Sequence, residues 1–292
     1  MKIQILKADA FGGALRAPKS RGAGAIFRAK IRVGEDSLRC YVKPLTDQIR
    51  CPTTGKVVAN YELINEALGY VLAKACGLSV ASNAGIILLD REQVPQSLLD
   101  ELDRSACGFR QETFFCWFTE DMEFPSLKQR HLGDAQLTSF NDRRLRRLSS
   151  ELAKSPDSPK VIAFDGWLMN SDRNVGNLLA GPKRLTLIDH GRILNFPNWT
   201  PGTVGTFPEP CINKLQFLIE LHDPHWSGML PNSSARVMAY NGFAVSFRQD
   251  GENAARAVLS EFFEQVDTDA VIQLLHDLLD PASYAKAAGH IL

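Results

Sequence analysis

The spacing of apolar residues changes its period along this chain, and that change limits the architectures open to it more than any other feature. Up to about residue 118 most apolar runs are of strand length, and beyond it they recur at helical spacing. Strands gathered first and helices afterwards imply an α+β chain with the two kinds of element in separate parts. Met1 to Ala8 alternates as a strand does. Ala25 to Val33 and Leu38 to Val42 are two more, joined through Gly34-Glu35-Asp36, and read as an antiparallel hairpin. Ala84 to Leu89 and Thr113 to Phe118 are further runs of strand length. The exception among them is Asn60 to Cys76, with apolar residues at 63, 64, 67, 68, 71, 72 and 75 and Gly77 as a stop, which predicts a helix with one broad buried stripe. Thr119 to Pro125 is polar and acidic and suits a connector. Helices are then predicted over Asp142 to Lys154, Lys160 to Met169, Ile212 to Leu221, Ala254 to Gln265 and Asp269 to Leu279.

A chain of 292 residues is long enough for one large domain or two lobes sharing a cleft. Lys plus Arg equals Asp plus Glu at 33 each, so no global field selects a polyanion and nucleic acid is not an expected partner. Arg143-Arg144-Leu145-Arg146-Arg147 reads as the solvated face of a helix. The six cysteines form no C-x-x-C pair, which argues against a zinc knuckle or redox dithiol, and they are expected to be small buried apolar residues. His222, Asp223 and His225 lack a fourth metal ligand at suitable spacing and are read as structural. No stretch approaches the roughly 20 apolar residues of a membrane span. Met1 to Gly13 carries Asp9 and has neither the apolar core nor the cleavage site of a signal peptide, so a cytoplasmic location without membrane partners is expected.

The chemistry is concentrated after the helix 160–169. There Asn170-Ser171-Asp172-Arg173-Asn174-Val175-Gly176-Asn177 runs into Leu178-Leu179-Ala180, then Gly181-Pro182-Lys183-Arg184, then Leu185-Thr186-Leu187-Ile188-Asp189. If Gly181 to Arg184 closes a hairpin, residue 180 pairs with 185 and residue 177 falls opposite 188, so Asn177 and Asp189 meet at one end. An Asp, an Asn five residues on and an Asp beyond a short hairpin form a phosphoryl-transfer set. Asp172 would orient or deprotonate an attacking hydroxyl, while Asn177 and Asp189 would hold Mg²⁺ on nucleotide phosphates.

Upstream, Lys43 ends the strand Tyr41-Val42-Lys43, where a phosphate-contacting lysine belongs, and it needs a carboxylate on the following helix. Glu66 flanks the apolar stripe and is the first candidate, Glu62 the second. Phe11 to Gly24, with Gly12, Gly13, Gly22 and Gly24 among Arg16, Lys19 and Arg21, reads as a loop. Its glycines, Gly22 and Gly24 above all, could bring backbone N–H groups close to phosphates.

Asn65-Glu66, Gly77-Leu78-Ser79-Val80, the run Phe164 to Leu179 and Leu187-Ile188-Asp189-His190-Gly191 together resemble the HipA-like kinase family over roughly residues 20 to 195. Phosphatidylinositol 3- and 4-kinases share a similar Asp-Arg-x-x-x-Asn pattern at greater distance. The resemblance implies a bilobal protein-kinase-like fold, with a strand-rich N-lobe over 1–118 and a helical C-lobe over 119–292. It also implies a serine/threonine protein kinase that uses ATP and Mg²⁺ on a protein substrate, in some members as the toxin partnered by an antitoxin. Lys43, Glu66, Asp172, Asn177 and Asp189 inherit the active-site roles by matching position, and Ser20 resembles a loop serine that some members autophosphorylate. Asn174 stands where the family usually has His, and the family's separate N-terminal subdomain is not expected here. Two alternatives share these residues: a small-molecule kinase of the aminoglycoside type, and a pseudokinase that binds nucleotide without transfer.

Overall fold

The computed structural model describes residues 3–16, 24–52, 54–107, 109–133, 142–194, 196–197, 199–203 and 212–289. The chain divides into two compact units. Lys2–Ala67 and Ala81–Glu123 form a strand unit, and Leu68–Val80 with Phe124–Leu292 form a helical unit. The architecture is therefore mixed α+β, as the change of apolar period predicts.

In the strand unit, β1 (Gln4–Leu6), β2 (Phe11–Ala14), β3 (Phe27–Val33) and β4 (Asp36–Leu45) come first. The short pair β5 (Gln48–Arg50) and β6 (Val57–Ala59) follows, then β7 (Ala84–Asp90), α2 (Gln96–Ser105) and β8 (Thr113–Glu120), while the helix α1 (Glu62–Ala75) begins in this unit and from Leu68 belongs to the helical one. Six of the strands form one sheet in the order β1-β7-β8-β4-β3-β2, antiparallel except where β1 runs parallel to β7. The β3–β4 ladder closes on the pair Val33↔Asp36, so only Gly34 and Glu35 form the turn, and Gly34 supplies φ +62 there. Part of the expected glycine loop is instead a strand: Phe11 pairs with Ile31 and Ala14 with Ala29 across a bulge. Gly12 suits that edge because a Cβ on it would stand 3.1 Å from the Cβ of Lys30.

Successive residues of β4 point to opposite faces. Cys40 and Val42 join Ala29, Ile31, Ile87, Phe114, Cys116 and Phe118 in a core covered by Leu98, Leu99 and Leu102 of α2. Lys43 consequently lies on the other face. The strand continues past it to Leu45, two residues beyond the predicted end. Burial pushes the Cys40 thiol up to about 12, in keeping with an inert core residue. Cys76 and Cys107 are only half-buried, and Cys211 lies outside the described residues.

The helical unit continues with α3 (Leu127–His131), α4 (Asp142–Lys154) and α5 (Ser158–Trp167), then the hairpin β9 (Leu178–Ala180) and β10 (Leu185–Leu187). It ends with α6 (Lys214–Glu220), α7 (Leu230–Ser246), α8 (Glu252–Leu259), α9 (Gln265–Leu278) and α10 (Pro281–Ala287). The helix α5 buries Val161, Ile162, Ala163, Phe164 and Trp167 on several sides, the pattern of a central core helix. Phe164 and Trp167 on it meet Phe243 of α7 with ring centroids 5.8 and 6.5 Å away, and the Trp167 indole N–H donates to the Leu275 carbonyl at 3.0 Å. Each such fully buried aromatic contributes roughly 2–3 kcal/mol through area removed from water. Sequence periodicity does not predict α7, because two of the positions it turns inward are Ser233 and Arg236. Among the described residues no helix is long and apolar enough to cross a membrane.

Candidate active site

The helix α5 ends in a manner that shapes the segment after it. Met169 adopts φ +51, and the Asn170 amide reaches back to the Asp165 carbonyl at 2.9 Å, closing the last turn as a left-handed cap does. Asn170 then works with both side-chain atoms. Its Nδ2 donates to Asp165 Oδ1 at 3.1 Å, and its Oδ1 accepts the Asp172 amide at 3.0 Å, folding the chain into an Asx turn.

The Asp172 carbonyl is the hub of the next turn. It accepts the Asn174 amide at 2.7 Å, Asn174 Nδ2 at 3.1 Å and Asn177 Nδ2 at 3.0 Å. Asn174 Oδ1 caps the following 3-10 turn by accepting Gly176 N at 2.8 Å. Asn174 is thus a loop-shaping amide. Because Asn177 commits its Nδ2 to the Asp172 carbonyl, its Oδ1 is the atom suited to a cation.

β9 and β10 pair as Ala180↔Leu185, Thr186↔Leu179 and Leu187↔Leu178, and the Ile188 amide donates to the Asn177 carbonyl at 3.2 Å. The expected register holds, with Asn177 and the segment entering Asp189 side by side. Asp189 itself has φ +58, a left-handed conformation that costs a non-glycine residue on the order of 1 kcal/mol and is sustained by its surroundings.

Arg173 binds these parts together. Its side chain is 1% exposed, with Nε 3.1 and 3.2 Å from the two oxygens of Asp165. Its Nη1 donates to the carbonyls of Ile188 at 2.6 Å and Asn177 at 3.4 Å, and its Nη2 lies 3.2 Å from His190 Nδ1. One guanidinium therefore ties α5, the loop, the hairpin end and the turn after Asp189 into one network. Burial pushes the Asp165 carboxyl up to about 6, against the opposing pull of the Arg173 guanidinium and the Asn170 amide, both of which favour its charged form. On the far side of His190, Gly69 of α1 comes so near that a Cβ there would lie 2.4 Å from the His190 Cβ. Only glycine fits that approach.

In the strand unit Lys43 Nζ lies 2.6 Å from Glu62 Oε1 and 2.9 Å from Glu66 Oε1. Glu66 is 1% exposed and Glu62 11% on their side chains, so the lysine meets two largely desolvated carboxylates, where the sequence ranks Glu66 ahead of Glu62. Gly24 is a described bend residue at φ +101 that precedes β3, whereas Gly22 and Ser20 lie outside the described residues.

Three residues central to the loop's geometry are given no role in the sequence expectation: Asp165 and Arg173, which stand there only as part of a motif, and Lys214. A carboxylate among the buried apolar residues of α5 is itself a signal, because a buried Asp demands a cation, and Arg173 is the first one to follow it in sequence. No comparable signal marks Lys214. Its Nζ lies 2.5 Å from Asp172 Oδ1 across 42 residues of sequence.

No protein-family model and no curated protein matches this chain. Among solved structures, the Golgi casein kinase aligns over 92% of this chain and 71% of its own at 12% identity and a TM-score of 0.43. The same kinase with Mn/ADP bound aligns over 91% and 71% at 13% identity and 0.45. Hydra Fam20 with sugar aligns over 96% and 87% at 10% identity and 0.46. At these scores the reading of the site rests on its own geometry.

Proposed function

We propose that this chain is an ATP-dependent phosphotransferase, in the finer reading a HipA-like serine/threonine protein kinase. The observation that carries the proposal is the Arg173 network. It suspends Asp172 and Asn177 on a rigid loop beside the Asp189 turn, at considerable cost in buried charge. A loop held only for shape has no need of two acids and an amide at its edge.

The donor set fits a hard cation. Asn177 Oδ1 and the Asp189 carboxylate would hold Mg²⁺, both being oxygen ligands that leave the remaining positions to phosphate and water. Magnesium-bound ATP would supply the electrophilic γ-phosphorus and the ADP leaving group. Asp172 orients the acceptor hydroxyl and takes its proton as the oxygen–phosphorus bond forms and the bond to ADP breaks. In the strand unit, Lys43, steered by Glu62 and Glu66, would hold the nucleotide phosphates.

The test is ATP binding with and without Mg²⁺, followed by phosphate transfer to the chain itself and to cell lysate, with Asp172→Ala and Asp189→Ala as controls. Transfer abolished in both variants supports the assignment. A well-folded wild type that binds no ATP in the presence of Mg²⁺ refutes it. Labelled product in the small-molecule fraction instead of on protein replaces the protein-kinase reading with a small-molecule kinase.

A further inference from the structure

Lys214 sits at the start of α6, and its ammonium is the cation on the Asp172 carboxylate. The two side chains are 52% and 37% exposed, and an ion pair that wet contributes little to stability while costing the rotamer freedom of a long side chain. Fold stability therefore does not account for its geometry, yet both ends are held firmly. On the lysine side, Asn213 caps α6 by accepting the Gln216 amide at 3.0 Å and donates Nδ2 to the Ile162 carbonyl of α5 at 3.5 Å. Leu215 and Ile219 are buried, and the Ser149 hydroxyl of α4 donates to the Ile219 carbonyl at 3.2 Å. On the aspartate side, the loop hangs on α5 through Asn170 and Arg173. A single buried helix thus sets both members of the pair, which is how a reacting group and its orienting partner are pre-organised.

We propose that Lys214 is a positioning residue for phosphoryl transfer: it holds Asp172 by Oδ1 so that Oδ2 faces the acceptor hydroxyl. The inference rests on the phosphotransferase reading and adds to it a residue outside the Asp–Asn–Asp set. Among the described residues, no donor other than Lys214 reaches the Asp172 carboxylate. One carboxylate oxygen is accordingly fixed and the other is left for substrate. The lysine also places a positive charge beside the oxygen from which the acceptor attacks, where negative charge gathers during transfer.

The experiment uses the full chain and Mg-ATP turnover, comparing wild type with Lys214→Met, Lys214→Arg, Asp172→Ala and the double variant Lys214→Met/Asp172→Ala. The methionine keeps the aliphatic stem and removes the charge. Lys214→Met should lower kcat by about 10–100-fold, with KM for ATP within about twofold and the melting temperature unchanged. Lys214→Arg should recover part of that loss, and the double variant should be no slower than Asp172→Ala alone, since the lysine acts through the aspartate. A kcat for Lys214→Met within about twofold of wild type overturns the proposal. So does a double variant slower than Asp172→Ala, or a lowered melting temperature that accounts for the loss. Wild-type protein without Mg²⁺-dependent turnover overturns the phosphotransferase reading and the proposal with it, whereas turnover that survives Asp172→Ala leaves a phosphotransferase but overturns the role of Asp172 and with it the proposal.

Discussion

Replacing Arg173 with methionine keeps the volume of the side chain near its own and leaves Asp165 buried without its cation. The least costly response of that carboxyl is to take up a proton. For a group of ordinary value 3.8, being neutral at pH 7 costs about 4 kcal/mol relative to the unfolded chain. Much of that cost is already present in the native protein, because burial has moved the group to about 6, so the acid's further share at pH 7 is roughly 1–2 kcal/mol. The Ile188 carbonyl and His190 Nδ1 lose their guanidinium partner as well, at about 1 kcal/mol each. The expected loss is about 3 kcal/mol, the lower end of what stranding one member of a buried pair costs and a large fraction of a typical folding free energy. The pH dependence follows from the sign of the shift. A carboxyl whose folded value is raised takes stability away as pH climbs from 3.8 to that folded value. In the wild type the decline stops near 6; in Arg173→Met it continues, so the deficit should widen by about 1.4 kcal/mol per pH unit above pH 6. Urea unfolding at pH 6, 7 and 8, followed by the fluorescence of the buried Trp167, Trp199 and Trp226, measures it. A deficit below about 1 kcal/mol, or one that is the same at pH 6 and pH 8, would refute the reasoning. Asp165→Asn combined with Arg173→Met should show the loss without its pH dependence.

Gly69→Ala introduces a Cβ 2.4 Å from the His190 Cβ, and neither atom lies at the flexible end of a side chain. Overpacking of about 1–3 kcal/mol should exceed the roughly 1 kcal/mol that alanine gains inside a helix, so the variant should melt lower; a variant that melts higher contradicts the close approach. Lys43→Met strands Glu62 and Glu66 and should weaken Mg-ATP binding by about 1.4 kcal/mol or more, a tenfold change readable by calorimetry, while unchanged affinity argues against a phosphate role for the lysine. Glu252, 2.9 Å from both His276 and Arg256, is held below its ordinary value of 4.5 by hydrogen bonds from those two groups. Its contribution is present above pH 4.5 and is lost as pH falls through the folded value. Glu252→Gln should therefore cost about 0.5 kcal/mol at neutral pH and nothing in acid, and an equal cost at both would refute the pairing.

Much of the site was legible because its signals are local. The turn Gly181 to Arg184 sets the pairing of Ala180 with Leu185, and from that register Asn177 reaches the end of the hairpin that leads to Asp189. The hairpin β3–β4, the helix α1 and the lysine-to-helix order follow equally from period and turn chemistry. Where reading failed, a polar residue occupied an inward position or a pairing crossed a long stretch of chain. In α7, inward-facing Ser233 and Arg236 hide the apolar stripe, and Phe11 to Ala14 forms an edge strand despite two glycines because β3 offers it a ladder.

The sequence by itself determined that strands come first and helices after, and where the short hairpin closes. It also set which residues supply the carboxylates, amide and ammonium of the candidate site. Only the tertiary structure decided that Lys43 meets both Glu62 and Glu66, that Arg173 holds the loop to α5, and that Lys214 arrives at Asp172 from 42 residues away. The reason is physical range. Backbone sterics and turn preferences act over a few residues, while an ion pair between distant segments exists only once the packing of every helix beneath it has set both ends within reach.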